Sequence, residues 1–349
     1  MSASIPPSSS TVSVRMMNVS AKESFAGAAK FLDPVLPGRE TFPCSMYAFL
    51  IEHQQRRIMF DLGARKDMEN LAPVHQAHLN TPEFNLVVER DVVEQLKSVG
   101  LKPDVIDTVI WSHTHLDHVG DMSTFPPSTT LVIGPGSSRI TYPSVSDAAL
   151  LESDFANREV HELSFSDTSL SIAGRPALDF FGDGSFYIID MPGHCPGHVS
   201  GLARVTPTTF VLLGGDTCHH PGQIRPNPHI HKTFPCPHHI LSSTRRSVST
   251  RYFTTGGSQF ELEKRITPLL SVPSGPSFYA DRETALNTMR TLSELDADPN
   301  VLVAIAHDPT LLGVVDLFPL SIDAWKEKGW KEQVIWKFLE EDNASFRFN

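Results

Sequence analysis

Within the six residues from His113 to His118 the chain places four potential metal ligands, His113, His115, Asp117 and His118. Imidazole and carboxylate donors at this density suit a first-row divalent cation, zinc foremost, with Mn, Fe or Co accepting the same set. An apolar, strand-like run at 105–111 leads directly into them. A loop at the end of a strand can fold such side chains toward one point, whereas a helix would spread them around its circumference. The plain alternative is a polar surface loop that happens to contain histidines; the strand in front of it weighs against that.

Three further junctions repeat the arrangement. The run 188–191 leads into Pro192-Gly193-His194-Cys195-Pro196-Gly197-His198, the run 210–213 into Gly214-Gly215-Asp216, and the run 301–306 into His307-Asp308. Taken singly each is weak. Asp216 after two glycines reads as an Asx turn, and His307 lies 91 residues beyond Asp216. Four strand ends that each deliver His or Asp are much harder to obtain by chance. His198 and Asp61 read as supporting residues rather than ligands, and Cys195 and Cys218 as packing.

HxHxDH, PGHxPGH, GGD and AHD in this order resemble the metallo-β-lactamase superfamily, and are most similar to its branch of N-acyl homoserine lactone lactonases. The match runs from about Met46 to His307, with residues 219–300 fitting poorly. The resemblance implies an α/β fold, an αββα sandwich with the metals in a cleft at one edge of both sheets. It further implies that His113, His115 and His194 hold one cation, that Asp117, His118 and His307 hold a second, and that Asp216 bridges them. The implied activity is a binuclear metal-dependent hydrolase that opens a lactone or related ester by attack of metal-bound hydroxide, with Asp117 relaying the proton as the intermediate collapses.

Lactonases of this kind carry Tyr three residues after the bridging Asp; here that position is His219. An imidazole can donate the same hydrogen bond to a substrate carbonyl, so His219 is a second catalytic candidate, the alternative being that it points away. The stretch after it resembles the elaborated fungal members of the superfamily, some of which are thioesterases on polyketide carrier proteins. That gives a rival substrate class, and a non-catalytic binding protein on the same scaffold is the reading from another class. A di-iron oxidoreductase would need a flavin domain or electron partner, for which the sequence has no signal.

These residues must be positioned by strands at 12–19, 47–52, 57–60, 105–111, 130–133, 186–191, 201–205, 210–213 and 301–306, with a hairpin near Gln54-Gln55. Helices are expected at 89–99, from a cap at Asp281 to about Leu295, and at 325–340, bent near Gly329, as an amphipathic surface helix. Residues 1–12, rich in Ser and Pro, read as a flexible terminus. Residues 13–349 form a single domain with an insertion at about 219–280. Six of the 16 histidines lie between His219 and His239 and read as solvated. Of the insertion's aromatics, Phe234, Phe253 and Phe260 are expected to line an acyl pocket or to pack. Its basic residues Arg245, Arg246, Arg251 and Lys264 are expected on a solvated surface.

Lys plus Arg number 29 against 40 Asp plus Glu, a net charge of −11. That balance disfavours nucleic acid and anionic membrane as partners. The expected partner is a small-molecule lactone, ester or thioester, with the oligomeric state open. No apolar run reaches the length of a membrane span, no signal peptide is recognisable, and four scattered cysteines suit a reducing compartment; the expected location is cytoplasmic.

Overall fold

The structure is a computed structural model that describes residues 5–35, 38–54, 56–240 and 267–340. The readings made for Arg245, Arg246, Arg251, Phe253, Phe260 and Lys264 lie outside the described residues. Among those described, two six-stranded sheets dominate. In spatial order the first contains Ser13–Asn18, Tyr47–His53, Arg56–Phe60, Thr108–Ile110, Thr130–Ile133 and Val160–Glu162. The second contains Ser171–Ile172, Arg175–Asp179, Phe186–Asp190, Val199–Thr206, Thr209–Gly215 and Val301–Ile305.

Strand periodicity explains why the sheets stack. Val14, Met16, Phe49, Ile51, Ile58 and Phe60 of the first sheet meet Phe186, Ile188, Val211, Leu213 and Leu302 of the second in one buried cluster. Alternate residues point outward. Met59, Val109 and Leu131 pack beneath Val92, Val93 and Leu96 of the Val92–Ser98 helix. Tyr187, Leu202, Leu212 and Val303 pack beneath Ala285, Met289, Leu292 and Leu295 of the Arg282–Asp296 helix. Both sheets are therefore apolar on two faces, and their central strands read as near-continuous hydrophobic runs. Helix, sheet, sheet, helix is the αββα sandwich expected.

Local signals set the helix ends. Asp91 accepts from the Glu94 N–H at 2.7 Å while Glu94 accepts from the Asp91 N–H at 3.2 Å, a reciprocal cap that starts the helix at Val92 rather than at Glu89. The Asp281 carboxylate accepts from the Thr284 N–H and opens the second helix as expected.

The 325–340 segment departs from expectation. It is a turn through Gly329, whose φ of 63° ends any helix there, then Trp330–Val334 and the 3-10 turn Lys337–Leu339. Nor is it a surface helix. Trp325, Trp330, Trp336 and Phe338 are buried, and so is Lys331, whose Nζ donates to the carbonyls of Asp296, Asp298 and Val301. Apolar residues on every side of the segment mimic a wide amphipathic stripe, because it packs against more than one surface. At the other end of the chain Ser8 Oγ donates to the Asp183 carbonyl at 2.6 Å, and Val12 is buried. No helix among the described residues is long and apolar enough to cross a membrane.

Candidate metal centre

The strand Thr108–Ile110 pairs in parallel with its neighbours on both sides, and its continuation is tied across the sandwich: the Val199 N–H donates to Ser112 O at 2.8 Å. His113 and His115 then leave the strand as a loop. Asp117 and His118 follow on a single helical turn, Leu116–Val119, so only half of the motif is loop. His194 follows Phe186–Asp190, Asp216 follows Thr209–Gly215, and His307 follows Val301–Ile305. The last two junctions are linked by the Ala306 N–H donating to Gly215 O at 3.1 Å. Gly215 has φ 50°, and a Cβ there would lie 2.9 Å from His198 Nε2. The turn that presents Asp216 therefore needs glycine for both conformation and space.

The sandwich brings all seven proposed ligands together. His113 Nε2 and His194 Nε2 lie 3.0 and 2.8 Å from His115 Nδ1, and 3.6 and 3.4 Å from Asp216 Oδ2. On the other side His118 Nε2 and His307 Nε2 lie 3.1 and 3.2 Å from Asp216 Oδ1, with Asp117 Oδ2 3.5 Å from His307 Nε2. Two donor clusters thus share one carboxylate. Cys195 Sγ lies within 4.8 Å of the first cluster's nitrogens, and Cys44 Sγ within 4.8 Å of ligand atoms of Asp117 and His307.

Hydrogen bonds on the outer nitrogens decide which lone pairs face inward. Asp61 can only accept, so the His118 Nδ1 at 2.8 Å must donate to it. The Ser112 hydroxyl donates to the same carboxylate and leaves its oxygen to accept from His113 Nδ1 at 3.0 Å. His307 Nδ1 donates to Ser45 O at 2.6 Å. For His113 that leaves Nε2 as an acceptor facing Asp216, the arrangement a metal-ligating histidine requires. Burial disfavours charge on His118 and His307, but Asp216, joined by Cys44 at His307, outweighs it and holds both well above the usual imidazole range. Without a cation their Nε2 atoms therefore carry protons that a metal would displace. His198 Nδ1 donates to Met191 O at 2.8 Å, and its Nε2 accepts the Asp216 N–H at 2.9 Å. His198 and Asp61 are thus supports, as the sequence reading had them.

Electrostatics separate the two clusters. Burial holds His113 and His194 well below the usual imidazole range and lowers His115 to about 4, so these three are neutral donors. Burial opposes charge on Asp216, but His118, His307 and His219 outweigh it and hold its carboxyl well below the usual range. Buried His118 Nε2 and Asp216 Oδ1 approach closely without the alignment of a hydrogen bond, and both lack partners. Partnerless buried donors converging on a carboxylate fit divalent cations; as a purely protein-lined core they would carry a desolvation cost of several kcal/mol.

His219 does point into the site. It is fully buried, with Nε2 3.1 Å from Asp216 Oδ2 and Nδ1 2.6 Å from the Tyr279 hydroxyl. The solvated reading of the histidine-rich stretch holds for His229, His238 and His239 and fails for His219 and His220, which are buried. Sequence reasoning also missed the wall beside the two donor clusters. A cavity of about 170 Å³, lined by Phe31, Phe42, Leu79, Phe84, Leu86 and Phe278, opens onto Asp117, His219 and His307. Phe31 and Phe278 stack at 5.0 Å. These residues come from segments with no local chemical signature. Phe234, singled out in the sequence, packs instead near Trp336, whose Nε1 donates to its carbonyl.

The family model described as "Metallo-beta-lactamase superfamily" matches residues 41–307. Two fungal proteins are similar over nearly the whole chain. "Cytochrome P450 monooxygenase mpaDE" of Penicillium roqueforti (strain FM164) is 40% identical over 349 residues, covering 97% of this chain. The chain spans only 38% of that relative's length. "Gamma-lactamase FDB1" of Fusarium pseudograminearum (strain CS3096) is 37% identical over 350 residues, covering 96% of this chain and 83% of that protein. Among solved structures, an N-acyl homoserine lactone hydrolase with N-hexanoyl-L-homoserine bound at its catalytic metal centre superposes with a TM-score of 0.57 at 17% identity. The superposition covers 90% of this chain and 100% of the other, a likeness of fold.

Proposed function

The chain belongs to the metallo-β-lactamase superfamily of hydrolases, and from that premise we propose that it is a binuclear enzyme that opens the ring of a lactone, with a γ-lactam as the closely related alternative. The observation that carries the reading is Asp216, whose carboxylate reaches both clusters: Oδ2 meets His113 and His194, Oδ1 meets His118, and His307 Nε2 lies 3.2 Å from Oδ1 and 3.3 Å from Oδ2. A carboxylate placed in this way would bridge two cations, one held with His113, His115 and His194, the other with Asp117, His118 and His307. Zinc suits the donors best, with Mn, Fe or Co accepted by the same set. Bound there, the cations would supply a nucleophilic water at neutral pH and polarise the attacked carbonyl.

The chain's own residues do the rest. Asp117 is the least buried carboxylate of the set, its side chain 16% exposed, and it borders the cavity. It takes the proton released as the new C–O bond forms and returns it to the leaving oxygen or nitrogen. His219 donates from Nε2 to the oxygen on which charge develops. The apolar cavity holds the substituent of the ring and excludes water. The γ-lactam alternative is favoured by the relative named gamma-lactamase, and the ring-opening chemistry is the same.

A five-membered lactone with a hexanoylamino substituent, its γ-lactam analogue and a hexanoyl thioester, offered to the metal-loaded protein, separate the readings. Ring opening of lactone or lactam is expected, with a loss on the order of 100- to 1,000-fold in kcat for Asp117→Asn. Cleavage of the thioester alone would replace ring opening by the carrier-protein thioesterase reading.

A further inference from the structure

His219 has two possible roles at this centre, and the position of one hydrogen separates them. If Nδ1 carries the proton, Nε2 presents a lone pair and His219 becomes a further metal ligand; its Nε2 already lies with His194 and Asp216 in a group of ligand atoms within 4.8 Å. If Nε2 carries the proton, His219 is a hydrogen-bond donor and stands outside both metal spheres. The Tyr279 hydroxyl, 2.6 Å from Nδ1, must either accept from that nitrogen or donate to it.

Gln223 resolves the ambiguity. Its Oε1 accepts from the backbone N–H of His219 at 2.8 Å and of His220 at 3.2 Å, which occupies both lone pairs. Its Nε2 faces acceptors only, the carbonyls of Phe31 at 3.0 Å and Ser271 at 3.2 Å and, at 3.3 Å, the oxygen of the Tyr279 hydroxyl. Flipping the amide would set its NH2 against two N–H donors and its oxygen against two carbonyls, so the orientation is determined. The Tyr279 hydroxyl is buried among these groups. Its hydrogen has a choice between Gln223 Oε1 at 3.4 Å, already saturated, and His219 Nδ1 at 2.6 Å. The hydrogen goes to Nδ1. A neutral imidazole that accepts at Nδ1 carries its own hydrogen on Nε2, and that atom is buried, close to Asp216 and without an aligned partner.

We propose that Tyr279, oriented by Gln223, is a positioning residue that donates to His219 Nδ1 and so fixes His219 as an Nε2–H donor to the substrate rather than a metal ligand. The proposal rests on the reading of the metal centre given above. In that arrangement the donor is assembled before substrate arrives, from a residue 60 positions away in the chain. Removing the Tyr279 hydroxyl leaves the imidazole in place but frees its tautomer, so the loss falls on the chemical step rather than on binding.

The test is long-range proton–nitrogen correlation on the zinc-loaded protein labelled with nitrogen-15 in histidine, the His219 signals being assigned by their loss in His219→Gln. Expected are an unprotonated Nδ1, a protonated Nε2 without the shift of a zinc-bound nitrogen, and unchanged metal content in His219→Gln. In Tyr279→Phe the Nδ1 signal should move toward the protonated form. Its kcat should fall about 10-fold or more while KM changes less than about twofold. A protonated Nδ1 in the unsubstituted protein, or a fall in metal content on His219→Gln, overturns the proposal. A protein that binds no zinc at all would instead refute the metal centre, and the same spectrum of the metal-free protein would still show which way the Tyr279 hydrogen points.

Discussion

His198 governs a proposed ligand without being one. Its ring spans from Met191 O to the Asp216 N–H, so it fixes the backbone that carries the proposed bridging carboxylate. His198→Ala removes the acceptor for a buried N–H and loosens that turn. The expected result is metal affinity weaker by about 10- to 100-fold with the fold retained, measured by competition with a chromophoric chelator; an unchanged affinity would show that the Gly214-Gly215 turn positions Asp216 unaided. His113, His115, Asp117 and His118 were legible in the sequence because one junction carries all four. Their supports were half legible: His198 closes the PGHxPGH motif and Asp61 ends an apolar run, whereas Ser45 and Tyr279 reach the site from distant segments and Gln223 acts mainly on backbone groups, so none of the three leaves a local pattern.

Helices and turns decide how firmly those residues are held. Gly193, φ 122°, precedes His194, and a Cβ there would lie 2.3 Å from the Ala285 backbone nitrogen in the Arg282–Asp296 helix. The outer helix thus braces the loop of a proposed ligand, a reason for the Pro192-Gly193 pair that the sequence pattern alone does not supply. On the far side of the first sheet, the short Glu152–Phe155 turn buries Asp154, and burial raises its carboxyl from 3.8 to about 6. The folded protein then binds more protons than the unfolded chain between about pH 4 and 6, so this group's contribution falls as pH rises through that window and its cost is complete above pH 6. Asp154→Asn should remove that slope and stabilise the protein at pH 7 by an amount on the order of 1–3 kcal/mol, read from denaturant midpoints at pH 4 and pH 7. An equal effect at both pH values would mean that charge is not the cause. Misreading 325–340 as a surface helix has a related origin: sequence periodicity reports apolar faces but not how many surfaces will cover them, and Lys331 Nζ, capping three buried carbonyls, looks like any exposed lysine until its partners are known.

At the scale of the molecule, the sandwich works as a means of collecting strand ends. The proposed ligands, spread from His113 to His307, converge because the Thr108–Ile110 strand runs parallel to its neighbours, and the Thr209–Gly215 and Val301–Ile305 strands run parallel to each other. The convergence of strand ends was legible in four apolar runs that each end in His or Asp, and the αββα architecture in the resemblance that those motifs carry. The cavity wall was not, because Phe31, Phe42, Phe84 and Phe278 become neighbours only once the segments around the sheets are in place. The two-cation reading of Asp216 is the claim on which the functional account turns, and metal stoichiometry tests it most directly. Protein purified without chelator, then analysed by elemental mass spectrometry against amino-acid content, should carry close to two divalent ions per chain. Asp216→Ala should lower that number to one or fewer while the chain stays folded. A single ion in the unsubstituted protein, unaffected by Asp216→Ala, would contradict the bridging carboxylate and with it the binuclear mechanism.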